Sequence, residues 1–337
     1  MRAPTAAAIA AAVLALGAPA CGGDDGGGSE GSGALADALS AVSAGEQSEQ
    51  RFSFTDVAAV RELAGAPATA QELELEQLGP WAAALGTGAP GLAEFVFALD
   101  EELRLDLVAA DRTLSIGPGP VAAVRVDGTD GAAVADALRE RGLEDAEAGG
   151  RETLARPGEP DLDDPLAPAL LRLGARAAAE GETVVLAADD EALLAALGEA
   201  GEPLGDQPAF AAAAACLGDV VSAEIWAGPA IDVPDAETVA VGVRRGDAPT
   251  EVLCVVGDEG QAGQAGKALE ERLTLEAPTP DTRQPLSALL EAIELDAGEA
   301  EDRSYARAVI TPLDERPADF LQRSLAVGAL AFYVGSG

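Results

Sequence analysis

One motif recurs along the chain and constrains its fold more than any other feature. An apolar run of strand-like composition leads into an acidic turn, and an amphipathic helical pattern follows the turn. Four such strand–helix pairs are predicted: 121–128 with 130–142, 183–190 with 191–201, 252–260 with 264–273, and 305–315 with 316–326. Strands and helices therefore recur through the chain, which indicates a mixed fold.

Tight turns between further strands predict antiparallel pairing. Residues 175–188 form a predicted hairpin around Glu180 and Gly181. A meander is predicted from 222–228, 238–246 and 250–257. We therefore expect an α+β fold of mostly antiparallel sheets with packed helices, rather than a doubly wound parallel sheet.

The segment 143–168 combines glycine, proline and aspartate and predicts a loop-rich boundary. We expect it to divide the folded body into two similar α+β lobes, 34–150 and 151–337. This division agrees with the length of 337 residues, since domains commonly contain about 100–200 residues.

An aspartate stands at the turn of each strand–helix pair. A carboxylate at this position accepts hydrogen bonds from free backbone N–H groups and interacts favourably with the helix dipole. We therefore expect Asp130, Asp190, Asp258 and Asp314 to be helix caps and not catalytic residues. Thr55 or Asp56 is expected to cap a helix at 57–64 in the same way.

Charge and composition exclude several functional classes. The chain has 59 acidic and 21 basic residues, no histidine and a formal net charge of −38. Nucleic-acid binding requires a basic surface, so no nucleic-acid partner is expected. The lack of histidine excludes Ser-His-Asp and Cys-His catalysis and histidine-ligated metals. We expect no cofactor and no metal site.

The N-terminal segment predicts export and lipidation. Arg2 precedes an apolar stretch at 6–16, and small residues lead to Cys21. This pattern resembles a bacterial lipoprotein signal peptide spanning residues 1–20, after which the thiol of Cys21 carries a lipid with fatty acyl chains such as palmitate. The pattern departs from that signal at Ala18 and Pro19, and an ordinary secretory signal is the alternative.

Residues 21–33 are expected to form a flexible tether behind the anchor. Their Gly-, Asp- and Ser-rich composition lacks apolar residues that could be buried. A coil of this length spans roughly 20 Å. We therefore expect a protein at the extracytoplasmic face of the cell membrane, anchored by lipid.

The two remaining cysteines are expected to form a disulfide. Cys216 ends an alanine-rich helical run and Cys254 lies in an apolar strand. An exported protein meets an oxidising environment, where two cysteines most simply pair with each other. Two buried free thiols are the alternative.

Other motifs favour structural interpretations. Asp161, Asp163 and Asp164 are candidate calcium ligands, but Pro165 interrupts the series, so a solvated acidic loop is expected. Gly266-Lys267 follows a strand but lacks the other residues of a P-loop. The triplet 245–247, Arg-Gly-Asp, suits a hairpin turn. The tryptophans Trp81 and Trp226 are expected in the core.

Three segments, 52–65, 118–143 and 181–210, resemble in their order a group of uncharacterised actinobacterial-type lipoproteins. The resemblance covers about residues 50–215 and rests on a Phe-Thr-Asp segment followed by strand–Asp–helix units. It implies the same compartment and architecture, but no activity.

These observations predict a non-enzymatic binding or envelope-organising module whose protein or envelope partner is unknown. A solute-binding lipoprotein of a transporter is one alternative, for which a parallel α/β fold with a hinged cleft is expected. A hydrolase that acts through carboxylates is the other, and two acids facing one cleft would favour it.

Overall fold

One antiparallel sheet of twelve strands runs through the described part of the chain. The computed structural model describes residues 33–118, 121–158, 166–233, 235–280, 282–314 and 316–335. The strands are β1 Arg51–Asp56, β2 Arg112–Ile116, β3 Ala123–Asp127, β4 Glu144–Ala148, β5 Arg151–Ala155, β6 Arg176–Glu180, β7 Thr183–Ala187, β8 Val220–Ala227, β9 Thr238–Arg244, β10 Thr250–Gly257, β11 Leu290–Ala300 and β12 Arg303–Pro312. The predicted α+β class with antiparallel pairing is confirmed.

Twelve α-helices accompany the strands in the described residues. They are α1 Ala34–Ser40, α2 Glu46–Gln50, α3 Val57–Ala64, α4 Ala82–Thr87, α5 Val96–Leu103, α6 Gly131–Glu140, α7 Ala167–Leu173, α8 Asp190–Leu197, α9 Pro208–Leu217, α10 Glu259–Arg272, α11 Phe320–Ala326 and α12 Leu330–Val334. The four predicted strand–helix pairs are present as β3–α6, β7–α8, β10–α10 and β12–α11.

The strand order repeats one connection on both sides of the central β1–β8 pair. The order is β11-β12-β10-β9-β8-β1-β2-β3-β7-β6-β5-β4. On one side β8, β9 and β10 lead outward, α10 follows, and the β11–β12 hairpin returns so that β12 pairs with β10. On the other side β1, β2 and β3 lead outward, α6, the β4–β5 hairpin and α7 follow, and the β6–β7 hairpin then returns so that β7 pairs with β3.

The two halves share this one sheet, and the two predicted lobes are not confirmed. The described residues form one compact unit. The expected boundary at residue 150 lies in the turn of the β4–β5 hairpin, where Ala148 pairs with Arg151. The expectation of a loop-rich 143–168 is wrong for its described part, which contains β4, β5 and the start of α7.

Helices cover both faces of the sheet because its central strands carry buried side chains on both faces. Phe52 and Phe54 of β1 pack in a cluster with residues of α1 and α9. On the opposite face, α6 packs on Val124 and Val126 of β3. The α10 helix packs on that same face against β10, beside α11 and α12.

Two of the four turn aspartates cap their helices as predicted. Asp130 accepts a hydrogen bond from the N–H of Ala133 at 3.1 Å, and Asp258 accepts one from the N–H of Gln261 at 2.8 Å. Asp56, the other predicted cap, accepts from the N–H of Ala59. Each such cap stabilises a helix by about 1 kcal/mol.

The predicted caps Asp190 and Asp314 are wrong. Asp189 caps α8 by accepting from the N–H of Ala192, and Asp190 is the first helical residue, paired with Arg176. Of two adjacent aspartates, only the one still in extended conformation can reach back to the helix N–H groups. Asp314 lies six residues before Phe320, where α11 begins, so it cannot reach the free N–H groups of that helix.

The C-terminal end of α9 is held to the sheet by a disulfide and two arginines. Cys216 and Cys254 are bonded with a Cα–Cα distance of 6.2 Å, and both are fully buried, which confirms the predicted pair. Arg244 donates to the carbonyl of Leu217, and Arg307 donates to the carbonyl of Cys216. Positive charge at this end complements the helix dipole.

The first half holds its corresponding helix without a covalent bond. Arg125, on the third strand of that half, donates to the carbonyl of Ala41 at the end of α1 and to that of Ala196 at the end of α8. Cys254 lies on the third strand of the second half, β10. Arginines therefore bind the helix ends in both halves, and only the second half adds a covalent bond.

Candidate ligand-binding cavity

A cavity of about 280 Å³ opens beside the C-terminal helices of the second half. It lies between the ends of β10 and β12, the helices α11 and α12, and the segment before β11. Residues that line it include Glu251, Leu289, Pro312, Phe320, Val327 and Tyr333. Its volume is at the lower limit of the roughly 300–1,000 Å³ that small-molecule pockets occupy.

Glu251 is the buried polar group of this cavity. Its side chain points to the same face of β10 as Leu253 and Val255, and the residue is 1 % exposed. Its sheet partners are apolar, because it lies opposite Val243 of β9 and Ile310 of β12.

Both carboxylate oxygens of Glu251 accept hydrogen bonds from α11. The N–H of Phe320 donates to Oε1 at 3.0 Å, and the N–H of Leu321 donates to Oε2 at 2.6 Å. The residue before the helix, Asp319, makes no side-chain capping bond. A strand residue 70 positions away in the sequence therefore supplies the cap of α11.

Burial raises the pKa of Glu251 from its ordinary value of 4.5 to about 7. The hydrogen bonds from Leu321 and Phe320 and the positive charge of Arg323 oppose this shift, and the negative charge of Asp319 adds to it. Burial also raises the pKa of Asp319, against the influence of Arg323 and Arg316. Perturbed acids that line a cavity are a recognised mark of functional sites.

The mouth of the cavity combines charged and apolar side chains. Arg323 lies 3.8 Å from Asp319, one helical turn away, and its side chain is largely exposed. Val327 is 68 % exposed at the rim. Phe320 and Tyr333 also line the cavity, and the centroids of their rings lie 6.0 Å apart.

Sequence reasoning missed Glu251, although one signal marked it. In the strand TEVLCVVG, the alternation places Glu251 on the side of Leu253 and Val255, where an apolar residue is expected. A charged residue at an inward position of a central strand needs a partner. That partner, the first turn of α11, is far away in the sequence.

The structure assigns ordinary roles to most other candidates. Arg245 of the Arg-Gly-Asp triplet lies in the β9–β10 turn and pairs with Asp56 and Asp219. Lys267 and the glycines of the P-loop-like segment lie inside or next to α10. Trp81 is in the core, as expected.

The core prediction for Trp226 is only partly correct, because this residue is half-buried. The guanidinium of Arg51 lies 4.6 Å from the centre of the Trp226 ring. Nε1 of Trp226 donates a hydrogen bond to Glu224. Glu224 also pairs with Arg51.

Some predicted residues lie outside the part of the chain that the structure describes. These are Cys21 and the candidate calcium ligands Asp161, Asp163 and Asp164. Among the described residues, no group of three or more acidic or cysteine side chains could hold a metal ion. None of the described helices is both long and apolar enough to cross a membrane.

Asp127, a half-buried acid, differs from Glu251 because it is paired with arginines. It binds Arg112 and Arg125 and accepts a hydrogen bond from Thr183. Burial raises its pKa, but the two arginines and Thr183 together outweigh burial, so the pKa lies below 3.8. Asp127 of β3 therefore links β2, β3 and β7, which is a structural role.

Comparisons with protein-family models, curated proteins and solved structures find no match to this chain. The cavity and its side chains are therefore the basis for assigning a function.

Proposed function

We propose that the protein is a lipid-anchored extracytoplasmic binding module, and that the cavity over Glu251 is its ligand site. The observation that carries the proposal is a buried, perturbed carboxyl group in the wall of a cavity that has both apolar and polar walls. Binding sites combine apolar walls with a few polar groups in this way. The anchor rests on the N-terminal sequence and on Cys21.

A binding role agrees with the hydrogen bonding of Glu251. Both of its oxygens are engaged by α11, so the carboxylate is held as an acceptor. A hydrolase that uses Glu251 and Asp319 is the second candidate, because both acids line one cavity and both have raised pKa values. Turnover of an ester or glycoside that is lost in Asp319→Asn would favour the hydrolase.

The ligand site is testable with a blocked variant. Val327 is exposed at the rim, so Val327→Trp should leave the fold intact while the indole fills the mouth. We expect fragments detected by ligand-observed NMR on the wild-type protein to lose binding in this variant. Leu171→Trp, at a similarly exposed position on α7, is the matched control and should bind as the wild type does. Equal binding in all three proteins would place the ligand site elsewhere.

The anchor is testable at Cys21. In Cys21→Ser the side chain has no thiol for thioether formation, so we expect no incorporation of labelled palmitate. The variant should leave the membrane fraction or accumulate unprocessed. The other two cysteines are fully buried in a disulfide, so labelling that persists in the variant would contradict the assignment.

A further inference from the structure

The carboxylate of Glu251 is buried without a cationic partner. Among the described residues, no Lys or Arg nitrogen lies within 4 Å of it, whereas the half-buried Asp127 has two such partners. Buried charges in proteins are normally paired, because an isolated charge loses its hydration. Within the chain only the more distant charge of Arg323 favours ionisation of Glu251, so the group either stays protonated or receives a closer positive charge from a ligand.

The carboxylate retains capacity for such a partner. An ionised carboxylate has about four lone-pair positions, and the backbone of α11 occupies two of them. Glu251 is one of the residues that line the cavity, so a ligand bound there lies next to this side chain.

The apolar part of the remaining walls fits an apolar body. Leu289, Leu290, Pro312 and Val327 are aliphatic, and Phe320 and Tyr333 add two aromatic rings. Aromatic faces also attract cations. The volume of about 280 Å³ limits the ligand to a small molecule.

The charged groups that line the cavity nearly balance one another, and the charge of the whole chain favours a cation over an anion. Arg323 and Arg316 carry positive charge at the rim, but Asp319 lies next to them and Arg323 forms an ion pair with it. The whole chain carries a net charge of −38, which raises the local concentration of cations and repels anions.

We propose that the cavity binds a small primary ammonium compound with an apolar body, and that the ammonium group contacts Glu251. This inference rests on the proposed function and adds the chemical class of the ligand.

Binding of an ammonium group must be coupled to the proton of Glu251. The ammonium favours the ionised carboxylate, so the proton leaves when the ligand binds. The other charged or titratable groups at the cavity are Asp319 at the start of α11, Arg323 in its last turn, Arg316 before it, and Tyr333 of α12. From the sheet, Glu251 is flanked by the apolar Val243 and Ile310.

Isothermal titration calorimetry with two isosteric probes tests the ligand class. The probes are 2-phenylethylammonium and 3-phenylpropionate, which have similar bodies and opposite charges. We expect only the ammonium compound to bind to the full folded chain. With a Glu251 pKa of about 7, its affinity should rise about tenfold between pH 6 and pH 8.

Variants separate the role of the charge from that of the fold. Glu251→Gln, checked for folding by circular dichroism, should bind weakly and without dependence on pH. Glu299→Gln, which removes an exposed acid of β11, should bind as the wild type does. Val327→Trp keeps Glu251 and should lose binding, so the test does not depend on the folding of one variant.

The contrary outcomes are distinct. Failure of the ammonium probe to bind, or affinity independent of pH, overturns the ammonium class. Binding of 3-phenylpropionate that Val327→Trp abolishes also overturns that class, yet it supports the cavity as a ligand site. The proposed function has its own contrary outcome, in which every fragment binds Val327→Trp as well as it binds the wild type.

Discussion

Replacing Cys216 and Cys254 together with alanine is expected to lower the free energy of unfolding by roughly 3–4 kcal/mol. The bridge spans 38 residues, and the chain-entropy treatment gives a loop of this length that stabilisation. Alanine is the appropriate replacement because both sites are fully buried, where a serine hydroxyl would lack a partner. Urea unfolding followed by circular dichroism measures the change.

The single variants provide the control for this prediction. Cys216→Ala and Cys254→Ala remove the same cross-link, so each should lose most of the stability that the double variant loses. Their effects should therefore be far from additive. If the free energies of unfolding of all three variants lie within about 0.5 kcal/mol of the wild-type value, the two thiols are not bonded in solution.

The ends of α9 and α1 are held to the sheet by different sets of contacts, and the disulfide is the contact that α1 lacks. The end of α9 retains the hydrogen bonds from Arg244 and Arg307 when the disulfide is lost. The end of α1 relies on Arg125, which also pairs with Asp127. Because α9 consists largely of alanine, it has few large side chains to secure it by packing, and a covalent bond compensates for that.

Features with a local cause were predictable from the sequence. The β8–β9–β10 meander and the β3–α6 and β10–α10 units follow from apolar runs, turn residues and capping aspartates that are adjacent in the chain. The cysteine pair was predictable because only two cysteines remain after Cys21.

Features that depend on distant segments were not predictable in this way. The strand β4, Glu144–Ala148, has three acidic residues and little apolar alternation, because it lies at the sheet edge with mostly exposed side chains. The union of both halves in one sheet depends on the pairing of β1 with β8, about 170 residues apart. The cavity depends likewise on contact between β10 and α11.

The pH dependence of stability should reveal Glu251 most clearly. The pKa of this group is about 7 in the folded protein and 4.5 in its ordinary state, so the folded protein holds the proton more tightly. Its contribution to stability is therefore complete below pH 4.5 and is lost as the pH rises through 7. A difference of this size corresponds to about 3 kcal/mol.

Subtracting the unfolding free energy of Glu251→Gln isolates this contribution from those of the other acids. The amide has one acceptor oxygen, so it can accept from only one of the N–H groups of Phe320 and Leu321, and the lost hydrogen bond adds a penalty that does not depend on pH. We expect the wild-type free energy of unfolding, minus that of the variant, to fall by about 3 kcal/mol between pH 4 and pH 8. Urea unfolding at a series of pH values measures the difference.

Asp127 provides a control of opposite sign. Its pKa is lowered by Arg112, Arg125 and Thr183 despite its burial, so its contribution is present above pH 3.8 and is lost as the pH falls below that value. The difference between the wild type and Asp127→Asn should therefore grow with rising pH, while the difference for Glu251→Gln shrinks. A flat profile for Glu251→Gln would mean that the carboxyl is ionised at low cost, through solvent or a cation, and that α11 does not bury it in solution.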